Sequence, residues 1–306
     1  MRVAAAVILR PDGRVLLAQR PPGKPYEGYW EFPGGKLEPG EAPAQALARE
    51  LREELGLAVR RSAPWIVQAF EYPHANVELH FFRVFAWDGE PHGHDGQAFA
   101  WQTPGAFDVA PLLPANTRVL AALQLPSIYG ISCASEIGED AFLARAESAF
   151  AQGLRLMQVR EKDWPATRIA SFALRVKAIA RSHGAKVLLN GESDVALELG
   201  LDGVHWTSAR LLEAKARPDG LLVGASCHDA LELARAAALG CDFAVMGPVL
   251  PTPTHADVPP LGWDGLAREI AGTRIPVYAL GGLSASHLAI AVDHGAHGVA
   301  MRRGAW

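Results

Sequence analysis

From Ser127 to Trp306, short apolar runs alternate with stretches rich in Ala, Leu, Glu and Arg, and no other feature narrows the fold as much. The runs are Ser127–Ser132, Leu154–Arg160, Lys186–Leu189, Gly203–Trp206, Leu221–Ala225, Phe243–Met246, Pro276–Leu280 and Gly298–Met301. Strands of a parallel sheet are covered on both faces, so they read as continuous apolar stretches. Eight of them, separated by helices within about 180 residues, predict a compact α/β domain of the (β/α)8 or TIM-barrel type.

Before that point the rhythm is different. Val3–Leu9, Val15–Gln19, Trp65–Tyr72 and Val77–Trp87 read as strands, with one strongly helical stretch, Ala44–Leu55. This mixture predicts an α+β sandwich. The seam is expected near Gln124-Leu125-Pro126, giving domains at 1–123 and 127–306, and 306 residues suit two domains.

Hydrophobic residues make up 49% of the chain and charged residues 20%, as in ordinary soluble globular proteins. The longest apolar stretches fall well short of the ~20 residues needed to cross a bilayer. The run from Val3 meets a turn at Pro11-Asp12-Gly13, so it reads as a strand rather than a signal peptide. A net charge of −4 argues against binding a nucleic-acid polymer. Cys133, Cys227 and Cys241 are far apart and lack zinc-site spacing, which points to reduced thiols and a cytoplasmic setting.

The chemistry is concentrated between Gly35 and Leu57. Glu50, Glu53 and Glu54 stand at i, i+3 and i+4 and share one helix face within about one turn. Leu47, Leu51 and Leu55 recur every fourth residue and form a separate stripe for burial. Three carboxylates on one turn repel each other unless a counter-charge is present. Mg²⁺ supplies one, because it bridges a few carboxylates to substrate phosphates. Gly56 suits the left-handed residue that ends such a helix. A solvated acidic face with an Arg49 ion pair is the plain alternative, and the Gly-rich approach Trp30-Glu31-Phe32-Pro33-Gly34-Gly35-Lys36 weighs against it.

The segment resembles the Nudix box, G-x5-E-x7-R-E-U-x-E-E-x-G-U with U apolar, at every specified position: Gly35, Glu41, Arg49, Glu50, Leu51, Glu53, Glu54, Gly56 and Leu57. The resemblance implies a mixed sheet between helices and hydrolysis of a nucleoside diphosphate linked to another group. It further implies that Glu50, Glu53, Glu54 and the Gly34 carbonyl hold Mg²⁺, or Mn²⁺ in its place, and activate water. Arg49 would orient the glutamates, and Glu41 would support the site from the start of the helix. The general base differs among Nudix enzymes; the MutT type favours Glu50.

The spacing from Gln19-Arg20 to Lys36, and the string Leu113-Pro114-Ala115-Asn116, are similar to those of MutT-type members. That similarity implies a nucleotide among Arg20, Glu31, Phe32, Pro33, Gly34 and Asn116. The Asn116 amide, which donates and accepts at once, would read an oxidised guanine. Taken alone, Asn116 also suits a helix N-cap. The implied reaction converts 8-oxo-dGTP to 8-oxo-dGMP and pyrophosphate, a nucleotide-pool sanitation that protects DNA. Ala100 departs from the type, which often has a glutamate before the tryptophan here; Glu71, Glu78 and Asp95 are nearby acids. His92 and His94 read as solvated loop histidines.

Ser127–Trp306 looks like thiamine-phosphate synthase and its TenI-type relatives. The supporting strings include Gln158-Val159-Arg160-Glu161-Lys162, Asp202-Gly203-Val204-His205, Gly247-Pro248-Val249-Leu250-Pro251-Thr252-Pro253-Thr254 and Ala279-Leu280-Gly281-Gly282. This implies a phosphorylated thiamine-precursor ligand near Thr252, Thr254, Gly281 and Gly282, with Gly298 in the same phosphate cradle. The synthase pattern has carboxylates at the positions of Gly191 and Arg210, a lysine at His255, and small residues at Arg302 and Arg303. Without the two carboxylates a pyrophosphate-bound cation lacks its counter-charge. The barrel is therefore expected to be catalytically degenerate, a ligand sensor or scaffold. The alternatives are a bifunctional enzyme, or a hydrolase of thiamine-pathway pyrophosphates.

Overall fold

The structure, a computed structural model, describes residues 1–73, 75–93, 97–253 and 257–306. The chain divides into two compact units, Met1–Gln124 and Leu125–Trp306. Among the described residues no helix is long and apolar enough to cross a membrane.

The first unit runs β1 Arg2–Ile8, β2 Val15–Gln19, β3 Trp30–Glu31, β4 Gly34–Lys36, α1 Pro43–Leu55, β5 Ala58–Tyr72, β6 Ala75–Asp88, β7 Phe99–Gln102 and α2 Thr117–Ala122. A mixed sheet has the order β4-β1-β6-β5, with β1 parallel to β6 and the outer pairs antiparallel. A second, antiparallel sheet has the order β3-β2-β7. Alternate side chains of a strand face opposite ways, and β1 is apolar at both. Ala4, Ala6 and Ile8 pack with Leu47, Leu51 and Leu55 of α1. Ala5 and Val7 pack with Phe32, Phe81 and the α2 residues Val119 and Leu120.

The strand predicted from Trp65 begins instead at Ala58. Arg60, Arg61 and Pro64 break its apolar pattern, and they are tolerated because β5 is a sheet edge whose pairing to β6 shifts register at these residues. β3, β4 and β7, of two, three and four residues, are too short to declare a period and were not predicted. Gly34 is required by packing: at φ +147° its Cβ would overlap the Ala4 carbonyl across the β4–β1 pair.

The second unit alternates as expected: β8 Ile128–Ile131, α3 Ala134–Ile137, α4 Glu139–Ala151, β9 Leu156–Val159, α5 Ala166–Ser182, β10 Lys186–Asn190, α6 Ser193–Glu198, β11 Gly203–Trp206, α7 Ser208–Glu213, β12 Leu222–Cys227, α8 Ala230–Ala238, β13 Phe243–Met246, α9 Gly262–Glu269, β14 Val277–Leu280, α10 Leu288–Asp293 and β15 Gly298–Met301. Neighbouring strands are parallel, and β15 pairs with β8 to close the barrel. Its interior holds Tyr129, Leu156, Leu188, Phe243 and Tyr278, with the Tyr129, Phe243 and Tyr278 rings 5.1 to 5.6 Å apart. Gly298 does not belong to a phosphate cradle. It opens β15 at the strand's N-terminal end, where a Cβ would overlap the carbonyl of Ser127, just before the paired strand β8. All three cysteines are buried and free.

Candidate active site

Helix α1 starts at Pro43, whose fixed φ suits a first helical position, and Gln45 Oε1 accepts from the Ala42 N–H at 3.0 Å. It ends at Gly56 (φ +67°), whose N–H donates to the Arg52 carbonyl at 3.1 Å. With the leucine stripe in the core, the three glutamates lie at different depths. The Glu50 side chain keeps 14% exposure and lies against Gly35, where a Cβ would overlap its carboxylate. Glu54 is half-buried, and Glu53 keeps 61%.

Arg49 sits among these acids. Its Nε and Nη2 donate to Glu41 at 3.0 and 2.9 Å, its Nη1 to Glu50 at 2.9 Å and Glu53 at 3.2 Å, and its Nη2 also to the Lys36 carbonyl at 3.0 Å. Hydrogen bonds to Glu41 and then Glu50 raise the Arg49 pKa. Arg49 and the Glu38 N–H hold Glu41 below the usual carboxylate range. Among the described residues no three His, Cys, Asp or Glu side chains are arranged as a ready metal site. The donors available, carboxylates and a backbone carbonyl, are nevertheless the hard oxygens that Mg²⁺ takes.

Ala100 lies in β7 opposite Leu17. Glu78 is engaged by His80 at 2.7 Å and Arg2 at 3.4 Å, and Glu71 is exposed on β5. His92 is exposed; Asp95 and His94 lie outside the described residues.

The residues implied for the nucleotide lie along β3 and β4 and the segment paired to them. Arg20 Nη1 grips both Glu31 oxygens at 2.6 and 2.7 Å, and its Nε donates to the Pro25 carbonyl at 2.7 Å. Burial raises the Glu31 pKa against the pull of Arg20. Phe32 is buried edge-on to Phe81 at 5.8 Å. The Trp30 N–H donates to the Pro111 carbonyl at 2.8 Å and the Leu113 N–H to the Trp30 carbonyl at 2.9 Å. This pairing leads into the Pro114–Asn116 turn, whose Ala115 shares the core layer of Phe32. Asn116 does stand at the N-cap position of α2, but its side chain makes no capping bond; the residue is 3% exposed and its Nδ2 has no hydrogen-bond partner among the described residues.

Sequence reasoning missed an aromatic cluster beside Glu31. Tyr26 meets Tyr29 and Tyr72 at 5.3 Å each, and Phe70 meets Tyr72 at 4.6 Å. Burial first, and then the Glu31 charge, push the Tyr72 pKa up to about 12. The available signal was the density of Tyr26, Tyr29 and Trp30 in a Pro/Gly-rich stretch.

In the barrel, a cavity of about 440 Å³ is lined by strand-end residues including Gln158, His205, Ser226, Thr252, Gly281 and Gly282. A Cβ at Gly281 (φ +103°) would overlap Pro248, and one at Gly282 (φ +66°) would press on the Pro251 carbonyl. Thr254 and His255 lie outside the described residues. His205 lies 3.0 Å from the Ser226 hydroxyl and 3.1 Å from that of Tyr129, and burial lowers its pKa to about 3. Gly191 and Arg210 are not in the lining, and Arg210 pairs with Glu192 at 2.7 Å.

Residues 1–123 match the NUDIX domain family and residues 128–305 the thiamine monophosphate synthase family. An 8-oxo-dGTP diphosphatase of Haemophilus influenzae is 38% identical over 123 residues, 40% of this chain and 90% of that protein. A CTP pyrophosphohydrolase of Escherichia coli is 41% identical over 122 residues, again 40% of this chain and 90% of the relative. A thiamine-phosphate synthase of Bacillus velezensis is 33% identical over 182 residues, 57% of this chain and 81% of the relative. The chain therefore belongs to two families, NUDIX through its first domain and thiamine monophosphate synthase through its second.

Proposed function

We propose that the first domain is a nucleoside triphosphate pyrophosphohydrolase that converts 8-oxo-dGTP and water to 8-oxo-dGMP and pyrophosphate. The observation that carries the reading is the seat of Glu50, pressed on the Gly35 backbone and held by Arg49. Mg²⁺, or Mn²⁺, held by Glu50, Glu53, Glu54 and the Gly34 carbonyl, would neutralise the phosphates and acidify a water. Glu50 is restrained on two sides, which suits a group that takes the proton of the attacking water. Arg49 keeps Glu50 and Glu53 in register, and Glu41, with both oxygens on Arg49, keeps that guanidinium in place.

For the base, a buried Nδ2 without a partner at Asn116 supports an amide that reads a purine edge, because an unpaired buried donor is costly until a ligand carbonyl meets it. Relatives named 8-oxo-dGTP diphosphatase support the same substrate, and the setting would be the cytoplasmic nucleotide pool. A second reading, CTP, is favoured by the 41%-identical Escherichia coli relative. Turnover of 8-oxo-dGTP, dGTP, CTP and thiamine pyrophosphate by the full chain with Mg²⁺ tests both. The first reading expects the highest kcat/KM for 8-oxo-dGTP. CTP in the lead would select the second, and equal turnover in chelator would remove the hydrolase mechanism itself.

A further inference from the structure

We propose that the barrel cavity binds a phosphorylated small molecule without a metal, its arginine and lysine side chains standing in for the cation, and that Glu136 occupies two of the arginines until the ligand displaces it. Arg160, Lys162, Arg302 and Arg303 all line the cavity, and no described lining residue is a carboxylate. Glu161, next to two of these cations in sequence, faces elsewhere. It is 2% exposed and accepts from the Ser132 hydroxyl at 2.5 Å and from the N–H groups of Ala134 and Ser135 at 2.8 and 2.9 Å.

Half-buried Arg160 and exposed Lys162 have no side-chain hydrogen-bond or ion-pair partner among the described residues. Burial and then the nearby Arg302 lower the Arg160 pKa against the pull of Glu161, and Arg160 foremost lowers that of Lys162, so these cations lie close enough to repel one another. Like charges held this close are relieved by a multiply charged anion, which arginine grips through paired N–H groups. Gln158, 1% exposed and in the same lining, has an Oε1 without a partner, which asks for a hydrogen-bond donor on the ligand.

Glu136 lies outside the lining and bonds Arg302, and Arg303 at 2.7 and 3.0 Å. It is an internal carboxylate that a phosphate would replace on the same donors.

Calorimetry of the full chain with inorganic pyrophosphate, and separately with inorganic phosphate, both in chelator, tests this. Saturable binding of pyrophosphate is expected, with phosphate weaker by its lower charge. Arg302→Ala and Lys162→Ala should each weaken binding about tenfold, the loss of one charge-assisted contact. Glu136→Gln should tighten it severalfold by freeing both arginines. Lys162 is exposed, so its variant keeps the test open if Arg302→Ala does not fold. No saturable binding in chelator at millimolar pyrophosphate, full affinity in Lys162→Ala, or weaker binding in Glu136→Gln would each overturn the proposal. None of these readouts depends on nucleotide hydrolysis, so failure here leaves the hydrolase reading standing.

Discussion

The two domains carry sites of opposite sign with the same local device. On α1 a single guanidinium, Arg49, ties together Glu41, Glu50 and Glu53. At the barrel mouth a single carboxylate, Glu136, ties together Arg302 and Arg303. In each case the minority charge holds the majority in place while no ligand is bound. The majority then decides what enters. Clustered carboxylates draw a hard cation and reach phosphates through it, whereas clustered guanidinium and ammonium groups meet phosphates directly. The family likeness of the barrel would suggest a metal there too, and the absence of acids in its described lining argues otherwise.

The comparison breaks most readily at Glu53. Glu53→Gln keeps the size of an exposed side chain, so the melting temperature should hold. Hydrolysis of 8-oxo-dGTP should fall by about 10²–10⁴-fold, as removal of one catalytic carboxylate commonly does, and chelator should silence the native chain. Anion binding in the barrel should survive both treatments. Steady-state rates beside calorimetry on the same samples read the two sites apart.

Acid should act on the barrel earlier than on the hydrolase helix. His205 has a native pKa of about 3 against an ordinary 6.5, because it is buried and then because Arg160 is near. Between these values the unfolded chain binds a proton that the native barrel refuses. The contribution is therefore complete above pH 6.5 and is lost as pH falls toward 3, at up to about 1.4 kcal/mol per pH unit. Glu41, held low by Arg49, contributes above its ordinary 4.5 and loses that only as pH falls below it. Urea midpoints from pH 8 to 4 should show the earlier decline, and His205→Gln should flatten it. An unchanged slope in that variant would place the acid sensitivity elsewhere.

Asn116→Ala comes next in size. The preference for 8-oxo-dGTP over dGTP should drop about tenfold, the scale of one lost buried hydrogen bond, with maximal rate less affected. Equal losses on both substrates would deny Asn116 a role in reading the base.

Much of this was legible because burial imposes its own pattern. The barrel strands are covered on both sides and read as apolar runs, and α1 declares itself through Leu47, Leu51, Leu55 and the stop at Gly56. What stayed hidden depends on neighbours distant in sequence. The early start of β5 is masked by Arg60, Arg61 and Pro64, which only an edge position permits. Gly298 looked like a phosphate glycine because glycine is needed wherever backbone passes close, and here the close neighbour is the Ser127 carbonyl. Glu136 carried no signal, since its partners lie more than 160 residues away. Whether Glu161 would face the cavity or the Ser132–Ser135 turn was equally beyond a strand pattern.

The smallest expected effect separates the domains most sharply. Gly191→Asp with Arg210→Asp restores acids where the synthase pattern has them, and Gly191 has room, since a Cβ there meets only Leu189 at 3.5 Å. Nucleotide hydrolysis should not change, because both positions belong to the barrel unit, whereas α1 and the β3–β4 segment belong to the first. Pyrophosphate binding in chelator should weaken, because two negative charges now stand near a site that relies on positive ones, and Mg²⁺ should restore part of it by giving those acids a partner. If the variant instead bound pyrophosphate more tightly in chelator, the charge balance argued for the barrel mouth would have the wrong sign. A change in hydrolysis rate would mean that the two sites are coupled through the chain rather than merely carried on it.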